Sequence, residues 1–193
     1  MCGIAGIVDN SSVQTNQLNE MGRLLSHRGP DNVGVYSFNN LGLVHTRLSI
    51  IDLSSKSNQP FKDETENFII TYNGEIYNFV SLKNFLIENG VDFKSDGDTE
   101  VLLNGYKYYG IEFFSRLLGF YSFCIYDKKK NILIFARDKF GKKPLYFYNS
   151  KKKFVFASEI KPILKVLDTV PGVNFPKLSH FLFTAAKAFI IML

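Results

Sequence analysis

Apolar and polar positions along this chain follow two periods, and the local period sets the element expected at each place. Gly3 to Val8 is a small-residue and β-branched run, readable as a buried strand that starts almost at the terminus. Apolar residues at 18, 21, 24 and 25 have helical spacing, so a helix is predicted over 17–25. His27-Arg28-Gly29-Pro30-Asp31 must break it, because Gly and Pro punctuate and the residue before Pro avoids the helical region. Strands follow at 33–38, 41–46 and 68–73. A helix over 76–89 gathers Phe79, Leu82, Phe85 and Leu86 on one side and stops at Gly90. Two more helices are predicted over 99–109 and 111–118, then strands over 120–126, 132–137, 145–148 and 154–158, then a helix over 159–167 before Pro171-Gly172. Strands come in hairpin-like groups and helices in pairs, without strict alternation. That pattern argues for α+β with antiparallel sheets and against a doubly wound parallel fold.

Composition narrows the class. With 46% hydrophobic and 21% charged residues in 193, the chain has the makings of one ordinary domain with a sizeable core, built largely from 19 Phe and 10 Tyr. Cys2 and Cys124 cannot form a disulfide framework, which points to a reducing, cytoplasmic compartment. No basic segment with an apolar stretch precedes the first glycine, so no secretion signal is expected. The longest apolar stretch, Phe181 to Leu193, has 13 residues and is interrupted by Lys187, short of the roughly 20 that span a bilayer. No membrane span is expected, and the stretch is read as an exposed apolar tail or a helix folded back on the domain.

The net charge of +5 comes mainly from lysines, including the runs 128–130 and 151–153. Both runs lie between alternating segments where hairpin turns are expected, so they read as solvated loops. No zinc-finger spacing or RNA-recognition signature supports a nucleic-acid partner. His27, His45 and His180 have no metal-ligand spacing with each other or with either cysteine, so no metal is expected. Asp92, Asp96-Gly97 and Asp98 faintly suggest a calcium loop, but Lys94 and Leu103 stand where oxygen ligands belong. Cys124, inside a strand pattern, reads as core.

Candidate chemistry begins at Cys2. Once Met1 is removed, the thiol (ordinarily titrating at about 8.5) lies beside its own α-amine (ordinarily roughly 7.7–8.0), and the two can share a proton near neutral pH, with a water as bridge. By itself, a cysteine at position 2 is only a small residue tolerated at a terminus. Other polar residues at strand ends shift that balance. An Asn73 amide beside the Gly74 N–H makes a suitable pair of oxyanion donors; the plain alternative is a turn leading into a helix, with Glu75 at its positive end. Arg47 ends an apolar strand, where its fork could clamp a carboxylate or form a surface salt bridge. Asp98 opens a helix and is otherwise an N-cap.

Several motifs occur in a diagnostic order: Met1-Cys2-Gly3-Ile4-Ala5-Gly6, His27-Arg28-Gly29-Pro30-Asp31, Arg47-Leu48-Ser49-Ile50, Tyr72-Asn73-Gly74-Glu75-Ile76-Tyr77-Asn78 and Ser95-Asp96-Gly97-Asp98-Thr99-Glu100. Ala136-Arg137-Asp138, leading into Phe140-Gly141 and Pro144-Leu145-Tyr146, completes the set. Together they resemble the glutaminase domain of glutamine-hydrolysing asparagine synthetases, class II amidotransferases with the N-terminal-nucleophile fold. The resemblance covers roughly residues 2–165. It implies an αββα sandwich, two antiparallel sheets between helical layers, with a glutamine amidotransferase domain over 1–170. Residues 171–193 then begin an inter-domain segment or a truncated tail.

The same resemblance implies the roles. Cys2 attacks the side-chain amide of glutamine, and Asn73 with the Gly74 N–H holds the oxyanion. Arg47 grips the α-carboxylate, Glu75 and Asp98 take the α-ammonium, and backbone near Leu48 and Ile50 lines the site. The products are glutamate and ammonia, the latter for a synthetase domain or subunit in asparagine biosynthesis. ATP and magnesium are expected only there, because the Ser-Gly-Gly-x-Asp-Ser pyrophosphate loop of full family members is absent from this sequence. The alternative is a catalytically silent glutamine-binding or regulatory module.

Overall fold

The strand-length runs pair into two separate sheets. The computed structural model describes residues 1–184; the remainder of the apolar tail, 185–193, lies outside the described residues. Sheet one takes β1 (Gly3–Asp9), β2 (Asn32–Phe38), β3 (Leu41–Arg47), β8 (Tyr146–Asn149) and β9 (Lys153–Ala157) in the order β2-β3-β1-β9-β8. Sheet two orders β4 (Phe61–Lys62), β5 (Phe68–Ile76), β6 (Gly119–Asp127) and β7 (Ile132–Arg137) in sequence. Every pairing is antiparallel.

Three apolar clusters turn these sheets into four layers. Helices α1 (Thr15–Leu25) and α4 (Ile160–Val166) cover the outer face of sheet one through Leu18, Met21, Leu25, Ile163 and Val166. Leu18, Met21 and Leu25 sit at helical spacing and are fully buried, each contributing about 1.5–3 kcal/mol of apolar burial. Helices α2 (Phe79–Glu88) and α3 (Asp98–Tyr109) cover sheet two, with Leu82, Leu86, Val101, Leu102 and Tyr106 against Phe68, Ile70, Tyr72 and Ile76. Between the sheets lie Ile4, Leu43, Ile69, Cys124, Tyr126 and Phe156. This is the αββα sandwich that the family resemblance implies, with Cys124 in its interlayer core.

Strand alternation fixes what faces that interlayer. On β1 it is the parity of Ile4, hence of Cys2; on β3 it is Leu41 and Leu43, hence His45 and Arg47. On β5 it is Ile69 and Thr71, hence Asn73 and Glu75. At one end of the sandwich, therefore, the apolar filling gives way to polar side chains from both sheets.

Some local expectations differ from the structure. Asn73-Gly74-Glu75 is not a turn, because β5 runs on to Ile76, paired with β6 as Asn73↔Ser122, Gly74↔Tyr121 and Glu75↔Phe120. Helix α2 accordingly begins only at Phe79, and the short helix after Tyr109 is a 3-10 segment, Gly110–Arg116. Lys153 leaves its expected solvated turn to begin β9, buried against Asp9 at 3.2 Å and Asp168 at 3.1 Å. A further helix, α5, spans Phe175–Thr184. No helix among the described residues is long and apolar enough to cross a membrane.

Candidate active site

The polar end of the interlayer opens into a cavity of about 90 Å³, several times the roughly 10–15 Å³ that one water takes up on the same measure. Cys2, Arg47, Leu48, Ile50, Asn73, Gly74, Glu75 and Asp98, all named from sequence, line it together. They come from the start of β1, the end of β3 and its following loop, the end of β5 and the start of α3.

Cys2 lies half-buried just ahead of β1. Its Sγ accepts the Leu48 N–H at 3.4 Å and stands 3.6 Å from the Leu48 carbonyl. Burial pushes the thiol pKa up, opposed by the Leu48 N–H, the chain's N-terminal charge and Arg47. At neutral pH the resting group is thus a thiol that needs a base.

The oxyanion donors follow from the open edge of β5. The two-residue β4 pairs only with Ile69 and Ile70, so beyond them β5 has no strand neighbour on that side. Alternation sends the N–H groups of Tyr72, Gly74 and Ile76 outward along this edge. Gln59 Oε1 accepts from Tyr72 N–H at 2.6 Å, and Asp98 Oδ2 accepts from Ile76 N–H at 3.0 Å. Among the described residues no side chain accepts from the Gly74 N–H between them, and Gly74 lines the cavity. Beside it, the Nδ2 of Asn73 is buried and has no acceptor among the described residues. A buried amide left unpaired costs about 1–3 kcal/mol, which a ligand oxygen would recover.

Arg47 is 7% exposed, and among the described residues it makes no salt bridge. Its Nη1 donates to Ser54 O and Asn58 Oδ1, both at 2.7 Å, and its Nη2 donates to Asp52 O. Three of five N–H groups are thereby used, leaving two for a carboxylate. Nor is Asp98 an N-cap: Gly97 holds that position and Asp98 is the first residue of α3. Its Oδ2 accepts from Tyr72 OH at 2.6 Å as well as from Ile76 N–H, which leaves Oδ1 for a ligand cation. Burial raises the Asp98 pKa, while the Tyr72 and Ile76 donors pull it back down.

Several pocket or pocket-supporting residues escaped the sequence reading. Gln59 and Lys143 line the cavity; Asp52 ties its loop together by accepting from Ser54 N–H at 2.7 Å and Ser57 OH at 2.6 Å. Those hydroxyl and amide donors hold the Asp52 carboxyl well below the usual range. His45 is fully buried, with Nε2–H donating to Tyr72 O at 3.1 Å; burial lowers its pKa to about 3. Its parity with Arg47 on β3 was the available signal, whereas nothing in the sequence distinguishes Gln59.

The description "Glutamine amidotransferase domain" matches residues 1–190. The chain is 38% identical over 169 residues to glutamine-hydrolysing asparagine synthetase 1 of Bacillus subtilis, covering 85% of this chain and 27% of the relative. Against asparagine synthetase B of Escherichia coli strain K12, also named glutamine-hydrolysing, identity is 35% over 179 residues, covering 88% of this chain and 31% of the relative. The chain thus spans about a third or less of the length of these curated relatives. In fold it is similar to the glutamine phosphoribosylpyrophosphate amidotransferase of B. subtilis, solved with ADP and GMP. The TM-score is 0.69 at 23% identity, over 84% of this chain and 43% of that one.

Proposed function

The chain belongs to the glutamine amidotransferase domain family, and from that premise we propose that it hydrolyses glutamine to glutamate and ammonia, with Cys2 as nucleophile. One observation carries the reading: a buried Asn73 amide without an acceptor shares a cavity with the Cys2 thiol. Arg47's spare donors take the glutamine α-carboxylate, and Glu75 with Asp98 Oδ1 takes the α-ammonium. This orientation sends the side-chain amide toward Cys2. With Met1 gone, the Cys2 α-amine accepts the thiol proton and Sγ bonds to the amide carbon. The carbonyl electron pair becomes an oxyanion held by Asn73 Nδ2–H and Gly74 N–H. As the C–N bond breaks, the α-ammonium returns its proton to the leaving nitrogen, releasing ammonia and a thioester. Water then adds to the thioester, the C–S bond breaks, and glutamate leaves.

The ammonia acceptor proposed is a synthetase domain or subunit that makes asparagine, with ATP and magnesium needed only there and the whole system cytoplasmic. Exposed Ile50 and Ile51, on the loop after β3, give the cavity an apolar rim that such a partner would cover.

Intact-mass measurement with and without a glutamine-analogue electrophile tests the reading. Loss of Met1 and a single adduct on Cys2, absent in Cys2→Ala, are expected. Undiminished glutamine hydrolysis by a folded Cys2→Ala protein would overturn it. Given glutamine, aspartate, ATP and magnesium, the 193-residue chain should release glutamate and ammonia and make no asparagine.

A further inference from the structure

Outside the cavity, on the helical side of β1, a buried cation holds the Cys2 main chain. Arg28 closes the 3-10 segment Ser26–Arg28 that follows α1. Its Nε–H donates to the Cys2 carbonyl at 3.0 Å, and its Nη1 pairs with Glu159 Oε1 at 3.2 Å. The side chain is only 9% exposed, and Nη2 is buried with no acceptor among the described residues. Glu159, the residue capping α4, also accepts from His27 Nε2 at 2.9 Å. Its charge is therefore shared between two partners. Gly3 opens the path to Cys2: a Cβ there would lie 2.6 Å from Thr46 Oγ1, 3.0 Å from Leu25 Cβ and 3.4 Å from Arg28 Cδ.

We propose that Arg28, with Glu159 as its counter-ion, is a positioning residue that fixes the Cys2 backbone and keeps the freed α-amine neutral and able to accept a proton. The inference rests on the hydrolytic reading above. The α-nitrogen and carbonyl oxygen of one residue lie within about 4 Å of each other, so Arg28 Nε stands no more than about 7 Å from that amine. A like charge at this range disfavours the ammonium form, and more strongly where burial limits screening. Other charged side chains line the cavity together with Cys2: Arg47, Asp52, Glu75, Asp98 and Lys143. Arg28 is the charged side chain hydrogen-bonded to the Cys2 main chain itself. A neutral amine can take the Sγ proton and later give it to the departing nitrogen; an ammonium at rest has no lone pair with which to take it.

The test compares Arg28→Gln, Glu159→Gln and the unaltered chain, each starting at Cys2. The acid limb of kcat/KM for glutamine should move up by about one pH unit in Arg28→Gln. In Glu159→Gln, where the cation loses its counter-charge, the limb should move down. Competitive acetylation of the α-amine across pH, read by mass of the N-terminal peptide, should show the same opposed shifts without substrate. An amine titration unmoved in both variants, or moved the same way in both, overturns the proposal. Where Arg28→Gln fails to fold, Glu159→Gln decides alone: a downward shift supports the proposal and no shift overturns it. Opposed amine shifts in a protein that releases no ammonia would uphold the role of Arg28 and refute the hydrolytic reading instead.

Discussion

Asp98 shows how one side chain divides between holding the fold and binding a ligand. Its Oδ2 secures Tyr72 OH and Ile76 N–H, which leaves Oδ1 for a ligand in the cavity that Asp98 lines; burial opposes the charge that a ligand ammonium requires. Asp98→Asn keeps an oxygen acceptor for both donors and removes the buried charge. We expect its melting temperature to be unchanged or higher, with KM for glutamine raised about 10–100-fold, matching the roughly 1.5–3 kcal/mol of a charged hydrogen bond. A destabilised variant with normal KM would show that the carboxylate is structural alone. Arg47 is less separable. Because it donates to Asp52 O, Ser54 O and Asn58 Oδ1, Arg47→Leu loosens the whole loop after β3. That variant should lose kcat as well as raise KM, and limited proteolysis should cut within 48–58. Asn73→Ala, which removes one oxyanion donor and no loop contact, should lower kcat by about 10²–10³ and leave KM nearly unchanged.

The open edge of β5 carries the catalytic geometry at the scale of elements. Two residues of β4 suffice to start the edge, and Gln59 and Asp98 then close it on either side of Gly74. Gly74 must stay a glycine: a Cβ would stand 2.6 Å from Phe120 O and 2.8 Å from Tyr121 Cα, backbone atoms of β6 that cannot retreat. Gly74→Ala should fold with a displaced donor and lose about 10²-fold in kcat, the usual consequence of an ångström of misplacement. A rate within threefold of the parent, measured by ammonia release, would remove Gly74 from the oxyanion site. Sequence periodicity found most of these elements, because strands such as 33–38 alternate exposed with partly buried positions and helices such as 17–25 bury one clear face. It misjudged 73–75, where Asn-Gly is a strong local turn signal that pairing with Phe120 to Ser122 overrides. It had no means of seeing β4, since two residues contain no period.

At the scale of the molecule, the cavity exists because two sheets face each other with an apolar filling at one end and a polar one at the other. The sequence names Cys2, Arg47, Asn73 and Asp98 in order, but their meeting depends on pairings such as Gly3↔Thr46 and on the stacking of β5 over β3. His45 spans that stack, bonding from β3 in one sheet to the Tyr72 carbonyl in the other, next to the oxyanion residues. Burial lowers its pKa from 6.5 to about 3. An unfolded chain therefore takes up this proton as pH falls below about 6.5, while the folded one does not until about 3, and stability drops across that window. Between pH 7 and pH 5 the loss from this one group is about 2 kcal/mol, at the rate of about 1.4 kcal/mol per pKa unit. That interval lies above the carboxylate range, where Asp9, Asp63 and Asp138, all lowered by their hydrogen bonds, would start to protonate. His45→Gln retains a donor for Tyr72 O and cannot titrate. Urea unfolding at the two pH values should show the parent losing about 2 kcal/mol and the variant much less. Equal losses in both would assign the acid sensitivity elsewhere and leave His45 an ordinary bridge between the sheets.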